Sequence, residues 1–298
     1  MKIAIVGGGS IGLLFAYYLN QKNEVIVYTR SLEQAKLIEE EGLFIEIGNN
    51  EYLTKVRALP FSEWRGDEDL TFVTVKQYHL PNVLDRITSV KSDKPILFLQ
   101  NGMGHLKGIS SLEHWKVYVG IVDHGALRMK SNFVKHTGMG MTKISPIVPS
   151  DNGMIDWLLA SSSSEFPFYI EEGYENILLN KLVVNGVVNP LTAILKVPNG
   201  ELISNPHFHN LFQQLFDEIC LILGLQDKEK YYRYVKEVCE KTAGNRSSML
   251  KDLEENRRTE VDAILGYLLE RATAKNLQSK LITSYYHSIK GQEYRRGE

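Results

Sequence analysis

The chain has 298 residues, 34 basic and 36 acidic, with a formal net charge of -2. That balance favours neither nucleic acid nor an acidic membrane surface as a partner, and no apolar run reads as the roughly 20 residues needed to span a bilayer. The length suggests about two domains, and a composition 43% hydrophobic and 23% charged is that of an ordinary soluble globular chain.

The first half alternates strands and helices. "KIAIV" predicts a strand that breaks at Gly7-Gly8-Gly9-Ser10. No small-residue cleavage site follows, so the N-terminus is not read as a signal peptide. "SIGLLFAYYLNQ" predicts a helix, "EVIVYT" a strand, and residues 31–41 a second helix. "LFIEIGNNEYLTKVRAL" alternates around a Gly-Asn-Asn turn and predicts a hairpin. "LTFVTV" (70–75) and "PILFLQ" (95–100) are near-continuously apolar, as strands buried on both faces of a parallel sheet are. A helix near 82–90 completes a βαβ unit between them. "KVYVGIV" (116–122) is another strand, with β-like pieces to about residue 148.

After "PSDNG" and the serine run at 161–164 the periodicity turns helical: 174–188, 206–223, 228–242, 261–274 and 278–290. Pro190 predicts a stop for the first of these. Strands followed by helices imply two domains. The expectation is a doubly wound α/β domain over residues 1–168 and an all-helical domain over 169–298. Cys220 and Cys239 have no CxxC partner and no His at metal-ligand spacing, and read as reduced core cysteines of a cytoplasmic protein. His207 and His209 lack a third ligand, so no metal is expected. Arg295 and Arg296 read as a solvated tail.

Gly7, Gly9 and Gly12 have the G-x-G-x-x-G spacing, directly after a strand and opening a helix. In that context Gly7 permits the tight turn, Gly9 lets the backbone approach a pyrophosphate, and Gly12 lets the helix pack on the strand. The next strand ends in Thr29 and Arg30, where an NAD-preferring site carries a carboxylate. A guanidinium there suits a 2′-phosphate. Lys76 ends another strand at the same edge. Each cation is also readable as a solvated surface charge, but together they favour NADP(H). Asn101 in "LQNGMG" is readable as a turn residue or as an amide near the nicotinamide.

In "NKLVVNGVVNP", Lys181, Asn185 and Asn189 recur every four residues. On a helix they form a narrow polar line, with Val184 and Val188 on one side and Leu182 on the other. A half-buried Lys needs a partner or a task. Anion binding, proton donation and a structural network between helices all remain open on this pattern. Ser248 reads as the cap of a short helix starting at Met249. Glu260 reads as a first-turn carboxylate of the next helix. Asn199 and Gly200 read as a turn.

The sequence resembles the ketopantoate reductase family (2-dehydropantoate 2-reductase) over its whole length. The likeness is carried by "IAIVGGGSIG", "TVK", "QNGMG", "NKLVVNGVVNPLTA", "VPNGEL" and "RSSMLKDLEENRRTEVDAI". It implies an N-terminal Rossmann domain, an all-helical C-terminal domain and an active site in the cleft between them. It implies NADPH-dependent reduction of 2-dehydropantoate to (R)-pantoate, with Lys181 as proton donor. Asn185, Asn189, Asn199, Asn245 and Ser248 match substrate contacts, and Glu260 matches a glutamate near the nicotinamide ribose and the substrate. Gly7, Gly8, Gly9, Ser10, Ile11 and Gly12 match the pyrophosphate cradle, Arg30 and Lys76 the NADPH-selective positions, and Asn101 and Ala126 cofactor contacts. Gln100 departs from the His that many members have before "NG". A homodimer is compatible with the likeness, though no feature demands one. The rival readings are a related hydroxy-acid or sugar-phosphate dehydrogenase, the latter drawing on Arg246, Arg257 and Arg258, and a non-catalytic NADPH sensor.

Overall fold

The apolar run Lys2–Val6 forms strand β1, and Ile3, Ala4, Ile5 and Val6 are all buried. Burial of consecutive residues requires cover on both faces, which a central parallel strand has. The computed structural model describes residues 1–148 and 153–294. Arg295, Arg296 and the first four residues of "PSDNG" lie outside them. The chain divides into two units: Met1–Gln100 with His105–Ile177, and Asn101–Gly104 with Leu178–Glu298.

In the first unit, β1 is followed by α1 (Ser10–Asn20), β2 (Glu24–Thr29), α2 (Leu32–Glu41), β3 (Leu43–Ile47), β4 (Asn50–Thr54) and β5 (Arg57–Pro60). Then come β6 (Leu70–Val73), α3 (Leu80–Ser89), β7 (Pro95–Phe98), α4 (Leu106–Ile109) and β8 (Lys116–Val122). The unit closes with β9 (Gly125–Lys130), β10 (Phe133–Gly138), β11 (Thr142–Pro146), α5 (Gly153–Ser161) and β12 (Phe168–Ile170). The main sheet runs β12-β11-β8-β7-β6-β1-β2-β5, parallel except for β11 against β8. From β5 to β8 this is the Rossmann order, with its switch point between β1 and β6.

The predicted hairpin is β3–β4, but "VRAL" leaves it to become the edge strand of the main sheet. The hairpin joins β10 and β9 in a second sheet. Between the layers lies α1, whose Leu13, Leu14, Phe15 and Ala16 are fully buried. Helix α5 and β12 were not predicted. The serine run there is a turn: Ser163 Oγ accepts from the Phe166 amide at 3.1 Å and Ser162 Oγ from Phe168 at 3.0 Å.

The second unit is helical. Helix α6 (Tyr174–Leu195) carries the chain into it, followed by α7 (Glu201–Ser204), α8 (Pro206–Leu223), α9 (Lys228–Lys241) and α10 (Ser248–Glu254). A π-helical stretch (Asp262–Gly266), α11 (Tyr267–Ala274) and α12 (Lys280–Tyr294) complete it. Pro190 does not stop α6, which continues to Leu195. A proline inside a helix costs about 3 kcal/mol. Val187, Val188, Leu191 and Ala193 around it are buried, and burying each larger aliphatic side chain returns about 1.5–3 kcal/mol. Packing therefore overrides the local stop.

By length and hydropathy alone α6 would cross a bilayer, contrary to expectation, but 67% of its most apolar window is buried inside the fold. It is a core helix. The predicted helix at 261–274 opens as a π turn, a distortion that often accompanies functional sites. Cys220 and Cys239 are free and buried, and burial pushes both thiols up to about 12, as expected of inert core cysteines.

Candidate functional site

The glycine motif forms a corner at the carboxyl end of β1. Gly7 has φ +121°, and a Cβ there would lie 2.8 Å from Thr74 Oγ1. A Cβ on Gly12 would lie 1.8 Å from the Gly7 carbonyl oxygen. Neither position accepts a side chain. Gly9 is different: an added Cβ would meet nothing within 4 Å. The space over Gly9 is therefore kept open by the fold and not filled by the protein.

Helix α1 starts there with no capping side chain and no acidic residue in its first turn. Such a helix end presents amide donors and a positive dipole to an anion. Ser10 opens the helix, and Ile11 is half-buried against the apolar core. An open cradle at an uncapped helix end, reached by no carboxylate of its own first turn, fits a dinucleotide pyrophosphate.

Three side chains outside the motif hold this corner. The Thr74 hydroxyl lies 3.0 Å from the Gly7 carbonyl and 3.1 Å from that of Val6, tying the segment that leads to Lys76 onto the glycine turn. Gln34 Nε2 donates to the Gly8 carbonyl at 2.8 Å, and Arg128 Nη1 donates to it at 3.3 Å. None of the three was singled out from the sequence, because each acts on backbone from a distant segment.

Arg30 is exposed at the end of β2, with Nη1 3.2 Å from His79 Nε2. Arginine has no acceptor, so His79 Nε2 must carry the lone pair. His79 closes the turn Gln77–His79 that follows Lys76. Arg30 is thus linked to the segment of the second predicted cation, at a strand end with no carboxylate. Gln100 donates to the carbonyls of Val73 and Val75 at 2.9 and 3.0 Å, which makes it a tether between strand ends. Ala126 lies on β9 opposite His136 and packs against the apolar core.

In the second unit, Lys181 and Asn185 are half-buried on α6, and Asn189 is buried at 6% exposure. Lys181 and Asn189 stand about 12 Å apart along the axis, at 1.5 Å per residue. The polar line therefore sinks from a half-open end to a closed one. Leu182 and Val188 beside it are buried, so the line keeps its apolar borders.

Past the closed end, Thr192 Oγ1 lies 2.7 Å from the Val188 carbonyl and 2.7 Å from Ser247 Oγ. With the threonine proton on the carbonyl, Ser247 donates to Thr192. Ser247 Oγ also accepts from the Leu250 amide at 3.1 Å, so Ser247 is the cap of α10. This corrects the expectation for Ser248, which is the first helical residue and is exposed. The buried hydroxyl one position earlier makes the cap, and Ser248 is displayed beside it.

Asn199 and exposed Asn245 are brought together: the Asn199 amide donates to the Asn245 carbonyl at 2.9 Å. Asn101 and Glu260 meet as well. Asn101 Nδ2 donates to Glu260 Oε2 at 2.8 Å, and Glu260 is 8% exposed. A hydrogen bond to a charged group contributes about 1.5–3 kcal/mol. Glu260 precedes the π stretch rather than lying in a helical first turn. Gly102, with φ +76°, packs where a Cβ would lie 2.2 Å from the Ala263 carbonyl. That close approach sets Asn101 beside Glu260.

The sugar-phosphate alternative loses support. Arg257 is paired with Asp252 and Glu255, Arg258 with Asp262, and Arg246 with Glu254. None of these guanidiniums is left to form the cationic pocket a sugar phosphate wants. An open depression of about 490 Å³ is lined by Pro198, Gly200, Glu201, Ile203, Ser204, Glu240 and Ala243. Its only charges are carboxylates, which is wrong for an anionic acid. Among the described residues, no group of three or more His, Cys, Asp or Glu could hold a metal.

Residues 3–149 match the family model "Ketopantoate reductase PanE/ApbA", and residues 174–293 match its C-terminal counterpart. The chain is 43% identical to the 2-dehydropantoate 2-reductase of Bacillus subtilis (strain 168) over 297 residues, covering 98% of each. A crystal structure of a probable 2-dehydropantoate 2-reductase from Bacillus subtilis superposes with TM-score 0.91 at 41% identity, covering 98% of this chain and 100% of that one. A D-mandelate dehydrogenase in ternary complex with NADH and anilino(oxo)acetate shares the fold, with TM-score 0.89 at 24% identity and 99% coverage of both chains. With both halves of the chain matched, and a relative 43% identical along nearly all of it, the chain belongs to the ketopantoate reductase family.

Proposed function

We propose that this chain reduces 2-dehydropantoate (ketopantoate) to (R)-pantoate with NADPH, a step toward pantothenate and coenzyme A. The observation that carries the reading is 43% identity to a 2-dehydropantoate 2-reductase along 98% of both chains. When bound, the reduced nicotinamide supplies a hydride. Gly7, Gly8, Gly9, Ser10, Ile11 and Gly12 would hold the pyrophosphate, and Arg30 and Lys76 the 2′-phosphate. Asn101, Ala126 and Glu260 complete the cofactor contacts, with Glu260 at the nicotinamide ribose.

The chain's own chemistry falls to Lys181. As the ketone carbon gains hydride, its oxygen gains negative charge. The Lys181 ammonium hydrogen-bonds that oxygen and passes it a proton, yielding the alcohol. Asn185 and Asn189 hold the substrate without adding charge, and Ser248, Asn245 and Asn199 fix its far end. Apart from Lys181, and Glu260 between ribose and substrate, the groups proposed to hold the substrate are neutral, which suits a small monoanion. In this reading the protein is cytoplasmic, consistent with two buried free cysteines. It also forms a homodimer, an expectation supported by family likeness alone.

The test is NADPH oxidation with a panel of 2-oxo acids containing ketopantoate, pyruvate and phenylglyoxylate. Ketopantoate should have the highest kcat/KM. Preference for phenylglyoxylate would favour a mandelate-type dehydrogenase, whose fold is the same. NADPH binding without turnover of any acid would favour a sensor.

A further inference from the structure

Asn199 is 8% exposed, and its side-chain oxygen is buried with no hydrogen-bond partner among the described residues. Its Nδ2 donates to Thr242 Oγ1 at 2.9 Å. Thr242 decides which end of the amide faces it. The Thr242 hydroxyl donates its single proton to the Val238 carbonyl, 2.6 Å away in the last turn of α9. Its oxygen can then only accept, and only the amide nitrogen of Asn199 can donate to it. A flipped Asn199 would set two acceptors against each other unless Thr242 gave up its bond to Val238.

The backbone is fixed by the same loop. Asn199 N–H donates to the Asn245 carbonyl, Gly200 N–H to that of Ala243 at 3.0 Å, and Asn245 N–H to that of Thr242 at 2.8 Å. Swinging Asn199 away would break these backbone bonds, and turning its amide over would break its bond to Thr242 or the Thr242–Val238 bond. The result is a buried acceptor held in one orientation with no donor among the described residues.

We propose that Thr242 is a positioning residue that fixes the Asn199 amide so that its oxygen accepts a hydrogen bond from the hydroxyl of the substrate. The inference rests on the reductase reading above. Ketopantoate carries a carboxylate and a ketone, both acceptors, and one hydroxyl, its only donor at neutral pH. A locked amide oxygen matches that hydroxyl and no other group of the molecule. The oxygen is closed to solvent without substrate, so the hydroxyl reaches it as neighbouring side chains adjust. An acid lacking the hydroxyl leaves the oxygen buried and unpaired. Sites built to hydrogen-bond a hydroxyl reject the analogue without it for that reason.

The test compares ketopantoate with 3,3-dimethyl-2-oxobutanoate, which has the same carbon skeleton with hydrogen in place of the hydroxyl. The wild-type enzyme should favour ketopantoate in kcat/KM by roughly 100-fold or more. Thr242→Val keeps the shape and removes the hydroxyl, and should cut that preference at least about 10-fold, mostly through ketopantoate KM. Thr242→Ser should restore it. NADPH affinity, read by fluorescence titration without substrate, should be the same in all three proteins. The inference is overturned if Thr242→Val slows both acids equally, or if Thr242→Ser loses the preference as fully as Val does. A wild-type enzyme that reduces neither acid overturns the reductase reading itself, and this inference with it.

Discussion

The cofactor corner of the first unit and the polar line of the second are built from different materials. The corner is backbone: a positive φ at Gly7, a closed contact at Gly12, an open one at Gly9 and an uncapped helix end. The line and the other candidate residues of this unit are side chains on α6, α10 and the loops at 199, 242–245 and 260. A backbone site depends on what a position excludes, and a side-chain site on what each residue holds in place. Substitutions should fail differently in the two regions.

Within the cofactor corner, the largest effect should come from the glycines. Gly9→Ala fills only the open space, so it should weaken NADPH binding by about 100-fold while the melting temperature stays within about 1 °C. Gly12→Ala drives a Cβ into the Gly7 carbonyl, and overpacking of that kind costs about 1–3 kcal/mol or more. It should lower the melting temperature by about 5 °C or more as well as weakening NADPH. Equal melting losses in the two variants would erase the distinction between an open and a closed glycine.

Arg30→Ala should weaken NADPH by about 10-fold or more and leave NADH within about 2-fold, since only the charge-assisted contact to the 2′-phosphate is lost. Equal losses for both cofactors would remove Arg30 from selectivity. Next come Asn101→Ala and Glu260→Gln, each lowering kcat/KM by roughly 10-fold. They break one shared contact, so the double variant should be little worse than either. Full additivity would mean that the two residues act separately.

One further effect falls on stability alone. Burial pushes the His105 imidazole down to about 4 from 6.5, and the residue is 2% exposed. Between those values the unfolded chain takes up a proton and the folded chain does not. Stability should therefore be full above pH 6.5 and fall as the pH drops toward 4, by at most about 3 kcal/mol. Melting curves of His105→Leu should show a shallower fall than wild type over that window. Parallel curves would mean that His105 takes up its proton in the folded state.

The same contrast explains what was legible in the sequence. Gly7, Gly9 and Gly12 sit within six residues, after a strand whose burial is written in its apolar run. Their spacing therefore carries the corner. Thr74, Gln34 and Arg128 escaped notice because they brace it from three other segments. The polar line was legible as geometry on α6, but its task was not, and only the family resemblance assigned Lys181 a proton. Local rules misplaced the end of α6 at Pro190 and the cap of α10 at Ser248. Tertiary packing decided the first, and a buried Thr192–Ser247 contact decided the second. The Asn101–Glu260 bond joins residues 159 apart in sequence, which no local pattern reports.

The division of labour is tested most directly by Lys181→Ala, measured for both kcat with ketopantoate and the NADPH dissociation constant. kcat should fall by about 10²–10⁴-fold with NADPH affinity unchanged. A kcat close to wild type would contradict the proton-donor role. A parallel loss of NADPH binding would contradict the separation of a backbone site for the cofactor from a side-chain site for the chemistry.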